Sequence, residues 1–169
     1  MIPGVERRQL EPHSDPRGTL TEIWRASVQP LTPQQLIVTA SSAGALRGMH
    51  VHIRQADLCH VVSGRAFMAL VDLRTDTQPK DTFWLTNGDS LLIPPGVAHG
   101  YTTEEGVVML YLLTHESAGT DEFGFSHSDP DAAIAWPVAR PTLSDRDRTA
   151  GSLRAARDLV RARLGGGTR

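Results

Sequence analysis

The chain has 169 residues, 40% of them hydrophobic, and a formal net charge of −2. That length suits one domain with a substantial core, and the scattered basic residues exclude a nucleic-acid surface. No apolar run is long enough to span a membrane, and the opening MIPGVERRQLEPHSD lacks the apolar stretch of a signal peptide. From the N-terminus, residues 17–25 (RGTLTEIWR) and 35–41 (QLIVTAS) alternate apolar and polar, predicting half-buried strands. Short strand-like runs follow at 45–53, 57–64, 66–74, 81–88, 90–96, 98–103 and 107–115. Gly64, NGD at 87–89 and PPG at 94–96 supply turn chemistry between them. Many short strands at regular spacing predict an all-β antiparallel barrel or jelly roll. After about residue 116 the pattern loosens into a Pro- and Asp-rich stretch, expected to wrap over the barrel. Ser152 can cap a final short helix, LRAARDLVRARL, which the glycines beyond it end. The lone cysteine, Cys59, excludes an internal disulfide and fits a cytoplasmic protein.

Three of the seven histidines fall within residues 45–64, and two of them, His50 and His52, form an H-x-H. Residues two apart on a strand face the same way, so both imidazoles are expected inside the barrel. Gly44, His50, His52, Asp57 and Gly64 match the first cupin motif, G-x5-H-x-H-x4-acid-x6-G, with Asp57 in place of the usual Glu. Gly88, Pro94, Gly96 and His99 match the second, with Thr103 in place of its usual Asn. Both halves in order identify a cupin jelly-roll barrel far more strongly than an isolated H-x-H. Three imidazoles and a carboxylate (His50, His52, His99 and Asp57) also form a ligand set suited to Zn²⁺, Mn²⁺, Fe²⁺ or Ni²⁺.

Across residues 12–150 the chain resembles one cupin branch, the dTDP-4-dehydrorhamnose 3,5-epimerase family of deoxysugar biosynthesis. DPRGTLTEIW is similar to that family's D-x-R-G-x-F-x-E, LRGMH to its R-G-L-H, and IPPGVAHGY to its I-P-x-G-F-A-H-G-F. GRAFMALVDLR matches a strand ending in V-D-L-R, and SDPDAAIAWP followed by LSDRD is similar to D-P-D-L-x-I-x-W-P and L-S-x-x-D. The last two are not general cupin features. The resemblance implies one cupin domain over residues 1–169, with the barrel at about 15–116 and the wrap and helix at about 117–165. It implies His50 as catalytic base, Asp147 as its paired aspartate and Tyr111 as general acid. Arg17, Glu22, Gln35, Arg47 and His99 fall where the family binds the nucleotide sugar. It further implies a small-molecule nucleotide-sugar substrate, no required cofactor and a homodimer. The residue types suit the chemistry. A 4-keto group acidifies the neighbouring C–H bonds, a histidine removes one proton to give an enolate, and an acid on the opposite face reprotonates it with inversion.

Three positions depart from the family. His52 stands where it has a glutamine, and Ser117 where a second aromatic follows the tyrosine strand. Asp57 replaces a lysine that supports the 4-keto oxygen as the enolate forms, and the chain's one lysine, Lys80, lies in the turn TDTQPKD. His52 and Asp57 together restore the metal-type cupin set, in which a divalent cation could polarise the oxygen instead. A metal-bound imidazole nitrogen cannot also take a proton, so the sequence leaves His50 open as ligand or base. Two other readings therefore stay open beside the epimerase. One is a metal-dependent cupin of another class (isomerase, cyclase or dioxygenase), and the other a non-catalytic, ligand-binding cupin.

Overall fold

A computed structural model describes residues 2–29, 31–116 and 121–165. Eleven strands occur among them. The first five are β1 (Glu6–Gln9), β2 (His13–Asp15), β3 (Gly18–Leu20), β4 (Gln35–Ser41) and β5 (Leu46–His52). β6 (Asp57–Asp72), β7 (Lys80–Thr86), β8 (Asp89–Ile93), β9 (Val97–Thr102), β10 (Val107–Leu113) and β11 (Glu122–Gly124) follow. Two helices, α1 (Asp145–Arg148) and α2 (Leu153–Gly165), complete the chain. None of the described helices is long and apolar enough to cross a membrane.

The expected jelly roll is present, and β6 organises it. The first part of this 16-residue strand pairs with β8 and β10, and the second part with β7 and β9. One layer therefore holds β1, β8, β6, β10 and β4, and the other holds β7, β6, β9, β5 and β11, with every pairing antiparallel. The sequence predicts a turn at Gly64, but the chain runs through it from one layer into the other. Gly64 takes φ +82°, and a Cβ there would collide with the Gly106 carbonyl oxygen, so glycine serves a close backbone approach. A register shift between Val108 and Met109 on the partner strand accompanies it.

Side-chain alternation along β6 builds two cores. Met68 and Leu70 join Cys59, Leu91, Ile93 and Met109 between the layers. Ala69 and Val71 point the other way, to a cluster with Phe125, Ala132, Leu153, Ala156 and Val160. The wrap and α2 thus cover the outer face of the second layer. α2 begins as expected at Ser152, whose Oγ accepts from Ala155 N at 3.3 Å, and the Asp129 carboxylate accepts from Leu153 N at 2.9 Å.

The structure differs from expectation at the N-terminus. Of the alternating stretch 17–25 only Gly18–Leu20 is strand, because among the described residues β3 pairs with β2 alone and Leu20 is left 64% exposed. Beyond it Trp24 is held by its indole N–H donating to the Gln29 carbonyl. β1 carries no apolar residue and forms on the edge of β8, where Arg7 pairs with the buried Asp89 at 3.0 Å.

Candidate active site

A cavity of about 170 Å³ opens between the two layers and receives side chains from both. His50, His52, His99 and Glu122 enter from the β5–β9–β11 side, and Asp57, Tyr111 and Thr39 from the β4–β10–β6 side. The close approach of β5 and β9 depends on Gly48. Its φ is +131°, and a Cβ there would strike the Gly100 Cα and the His99 carbonyl oxygen. The ladder is irregular between Arg47 and His50, where His50 comes to lie opposite His99.

His50 Nε2–H donates to Asp147 Oδ1 across 2.7 Å, linking residues 97 apart in sequence. A carboxylate only accepts, so this bond fixes the tautomer and leaves the lone pair on Nδ1. Asp147 sits in α1, which Ser144 caps by accepting from Asp147 N at 3.1 Å. Its Oδ2 also accepts from Gly48 N at 3.5 Å. Burial pushes the Asp147 carboxyl up, but the hydrogen bond and charge of His50 outweigh it and hold the group below the usual carboxylate range. On the other side of the ring, Glu122 Oε1 lies 3.4 Å from Nδ1. Burial pushes Glu122 up as well, and the Arg146 guanidinium at 2.7 Å, followed by His50, brings it below its ordinary value. His50 is therefore flanked by two carboxylates held ionised.

His50 does not join the other metal-type residues. The sequence groups it with His52, Asp57 and His99, but its Nε2 is taken by Asp147, and only the last three converge. Their ligand atoms lie within 4.8 Å of one another. Asp57 Oδ2 is 3.3 Å from His99 Nε2 and 3.7 Å from His52 Nε2. Burial raises the Asp57 carboxyl, yet His99 and then His52 hold it below its ordinary value. Burial lowers His99, but Asp57, with the Val97 carbonyl and Glu122, brings it above its ordinary value, whereas His52 is lowered by burial and by His99.

Tyr111 reaches the cavity from β10 and is 8% exposed. Its hydroxyl donates to the Met109 sulfur at 3.6 Å, a weak acceptor. Burial raises the phenol well above its ordinary pKa, so it stays protonated. Arg47 also lines the cavity, its Nε donating to Ser41 Oγ at 3.0 Å. That oxygen lies 2.9 Å from the Tyr101 hydroxyl.

Three expected substrate contacts do not border this cavity. Arg17 bonds Asp15 within the exposed β2–β3 hairpin, and Glu22 pairs with Arg25, so each is satisfied locally. Gln35 begins β4 opposite Leu113, on the same strand face as the cavity residues Ile37 and Thr39. Ser117 lies outside the described residues. Sequence reading missed Glu122 and Gln55. Glu122 lies on a three-residue strand, and the pairing of that strand with β5, Glu122 opposite His52, brings it to the site. Gln55 stands two residues before Asp57, a spacing at which its Nε2 can donate to Asp57 Oδ1, here at 2.7 Å.

A two-layer jelly roll with histidines and a carboxylate projecting into its interior defines the chain as a cupin. Residues 1–155 match the dTDP-4-dehydrorhamnose 3,5-epimerase family, and the chain belongs to it. The dTDP-4-dehydrorhamnose 3,5-epimerase of Mycobacterium tuberculosis is 31% identical over 175 residues, covering 92% of this chain and 86% of that protein. SpsL, a spore coat polysaccharide biosynthesis protein of Bacillus subtilis, is 36% identical over 122 residues, covering 68% of this chain and 81% of SpsL. The crystal structure of ChmJ, a 3'-monoepimerase from Streptomyces bikiniensis in complex with dTDP-quinovose, superposes with a TM-score of 0.83 at 28% identity. It covers 94% of this chain and 88% of ChmJ. Membership favours the epimerase over the other two cupin readings.

Proposed function

We propose that this chain is a sugar-nucleotide epimerase inverting one or both carbons beside the 4-keto group of a dTDP-4-keto-6-deoxyhexose. One observation carries the reading: His50, held by Asp147 at 2.7 Å, borders the same cavity as the buried phenol of Tyr111. His50 Nδ1 takes the proton from the carbon next to the ketone. The imidazolium that forms lies between Asp147 and Glu122, which lowers the energy of the charged state. Tyr111, arriving from the opposite layer, delivers a proton to the other face of the enolate, and the centre inverts. This proton transfer requires no cofactor. Arg47 contacts the substrate inside the cavity, His99 borders the same space, and Gln35 contacts the substrate at the end of β4.

Residues 1–169 form one cupin domain in this reading, because the wrap shares a core with the second layer. The protein is cytoplasmic, which fits its lone buried and free Cys59. It works as a homodimer. Among the described residues β4 pairs only with β10, and its outward Leu36 and Val38 are 58% and 61% exposed, with Val62 of β6 also open. Arg17 and Glu22 are satisfied away from their own cavity, so any substrate contact they make is with that of a second protomer. Light scattering should give twice the chain mass, and Val38→Glu should halve it; a wild-type monomer at assay concentration would remove the dimer.

The test of function is solvent exchange. In D₂O with dTDP-4-keto-6-deoxyglucose, the protein should place deuterium on a carbon adjacent to the ketone, read by NMR and mass spectrometry. A substrate that is bound but never labelled would make the chain a binding cupin.

A further inference from the structure

His52 and Asp57 line the cavity but have no task in the proton transfer. Asp57 is 4% exposed, and a carboxylate so buried requires a cation beside it. His99, which Asp57 holds above its ordinary pKa, answers part of that charge, but the contacts to both imidazoles are long. Charge-assisted bonds are about 2.7–2.9 Å long, whereas Asp57 Oδ2 stands 3.3 Å from His99 Nε2 and 3.7 Å from His52 Nε2. Atoms bound tetrahedrally to one ion at about 2.0–2.2 Å are about 3.3–3.6 Å apart, which is close to this spacing.

The surrounding bonds orient the three side chains in the same sense. Gln55 Nε2 donates to Asp57 Oδ1 at 2.7 Å, leaving Oδ2 to face the imidazoles. His99 Nδ1 lies 3.2 Å from the Val97 carbonyl oxygen, to which it can only donate, so Nε2 is the nitrogen turned toward Asp57, and an ion bound there would take the place of its proton. This is the arrangement that partners of metal ligands produce. His50, held by Asp147, stands apart and keeps its lone pair. We propose that His52, Asp57 and His99 form a divalent first-row cation site with an open coordination position toward the cavity. Two imidazoles and one carboxylate suit Zn²⁺, Mn²⁺, Fe²⁺ or Ni²⁺. The role of the site rests on the epimerase reading. An ion held by these residues would supply positive charge toward the 4-keto oxygen, whose developing negative charge Asp57 alone would repel.

The test uses the whole chain, stripped with a chelator and titrated with Zn²⁺ by calorimetry and with Co²⁺ by visible absorption. One ion per chain should bind. Gln55→Ala, which frees the Asp57 carboxylate, should weaken affinity roughly 10–100-fold. His52→Gln should remove the Co²⁺ spectrum, with circular dichroism matching the wild type in both variants. No ion bound by the wild type, or binding undiminished in both variants, overturns the site. Ion binding is read without substrate and deuterium exchange without added metal analysis, so the two proposals fail separately. Exchange in a chain that binds no ion ends the metal site alone, and an ion without exchange ends the epimerase alone.

Discussion

His50→Ala should abolish deuterium exchange into the 4-keto sugar while the protein stays folded. Loss of a general base costs roughly 10²–10⁴-fold in rate. His50 is the one residue to which both Asp147 and Glu122 are directed, so its loss removes the proton acceptor and leaves two ionised carboxylates without their shared partner. The fold should survive, since Met49 and Val51, the strand neighbours that face the second core, are untouched. Undiminished exchange in this variant would end the assignment of the base. Asp147→Asn separates positioning from chemistry. The amide keeps the shape and the Ser144 cap but no longer stabilises an imidazolium, so the rate should fall about tenfold or more with substrate binding little changed. Unfolding of that variant, with Asp147→Glu restoring the fold but not the rate dependence, would make Asp147 structural.

What the sequence discloses follows from the range of the forces involved. β4 through β10 are visible because alternation or an apolar run reports burial on each strand's own residues. The H-x-H places His50 and His52 on one strand face for the same local reason. The structure then divides them, since His50 bonds Asp147 and His52 faces Asp57. Nothing near residue 50 announces that division, as it is decided by a carboxylate 97 residues away. Resemblance to the family, rather than spacing, pointed to Asp147. β11 and α1 were not legible. Three residues and four residues carry no periodicity, and each exists because of what it meets: the β5 edge in one case and the Ser144 cap in the other. Gly64 is legible as a special backbone position but not as a turn, because positive φ serves a tight turn and a close approach equally.

Tyr111→Phe should block inversion and leave exchange running. The phenol is buried, and its one hydrogen bond among the described residues goes to a methionine sulfur, so removing the hydroxyl breaks no strong bond and opens almost no space. The ring keeps its place in the core with Met109 and Leu113. Burial keeps the wild-type phenol protonated throughout the working range, as a donor must be. In the variant His50 still removes the substrate proton and returns a deuteron to the face it came from. Label should therefore accumulate with retained configuration, while the inverted product forms roughly 10²–10⁴-fold more slowly. Chiral analysis of the labelled sugar distinguishes the two products. Inversion at the wild-type rate would reduce Tyr111 to strand packing and move the acid to another cavity group. Loss of exchange and inversion together would mean that the hydroxyl supports enolate formation itself, a role on the ketone side of the sugar rather than on the far face.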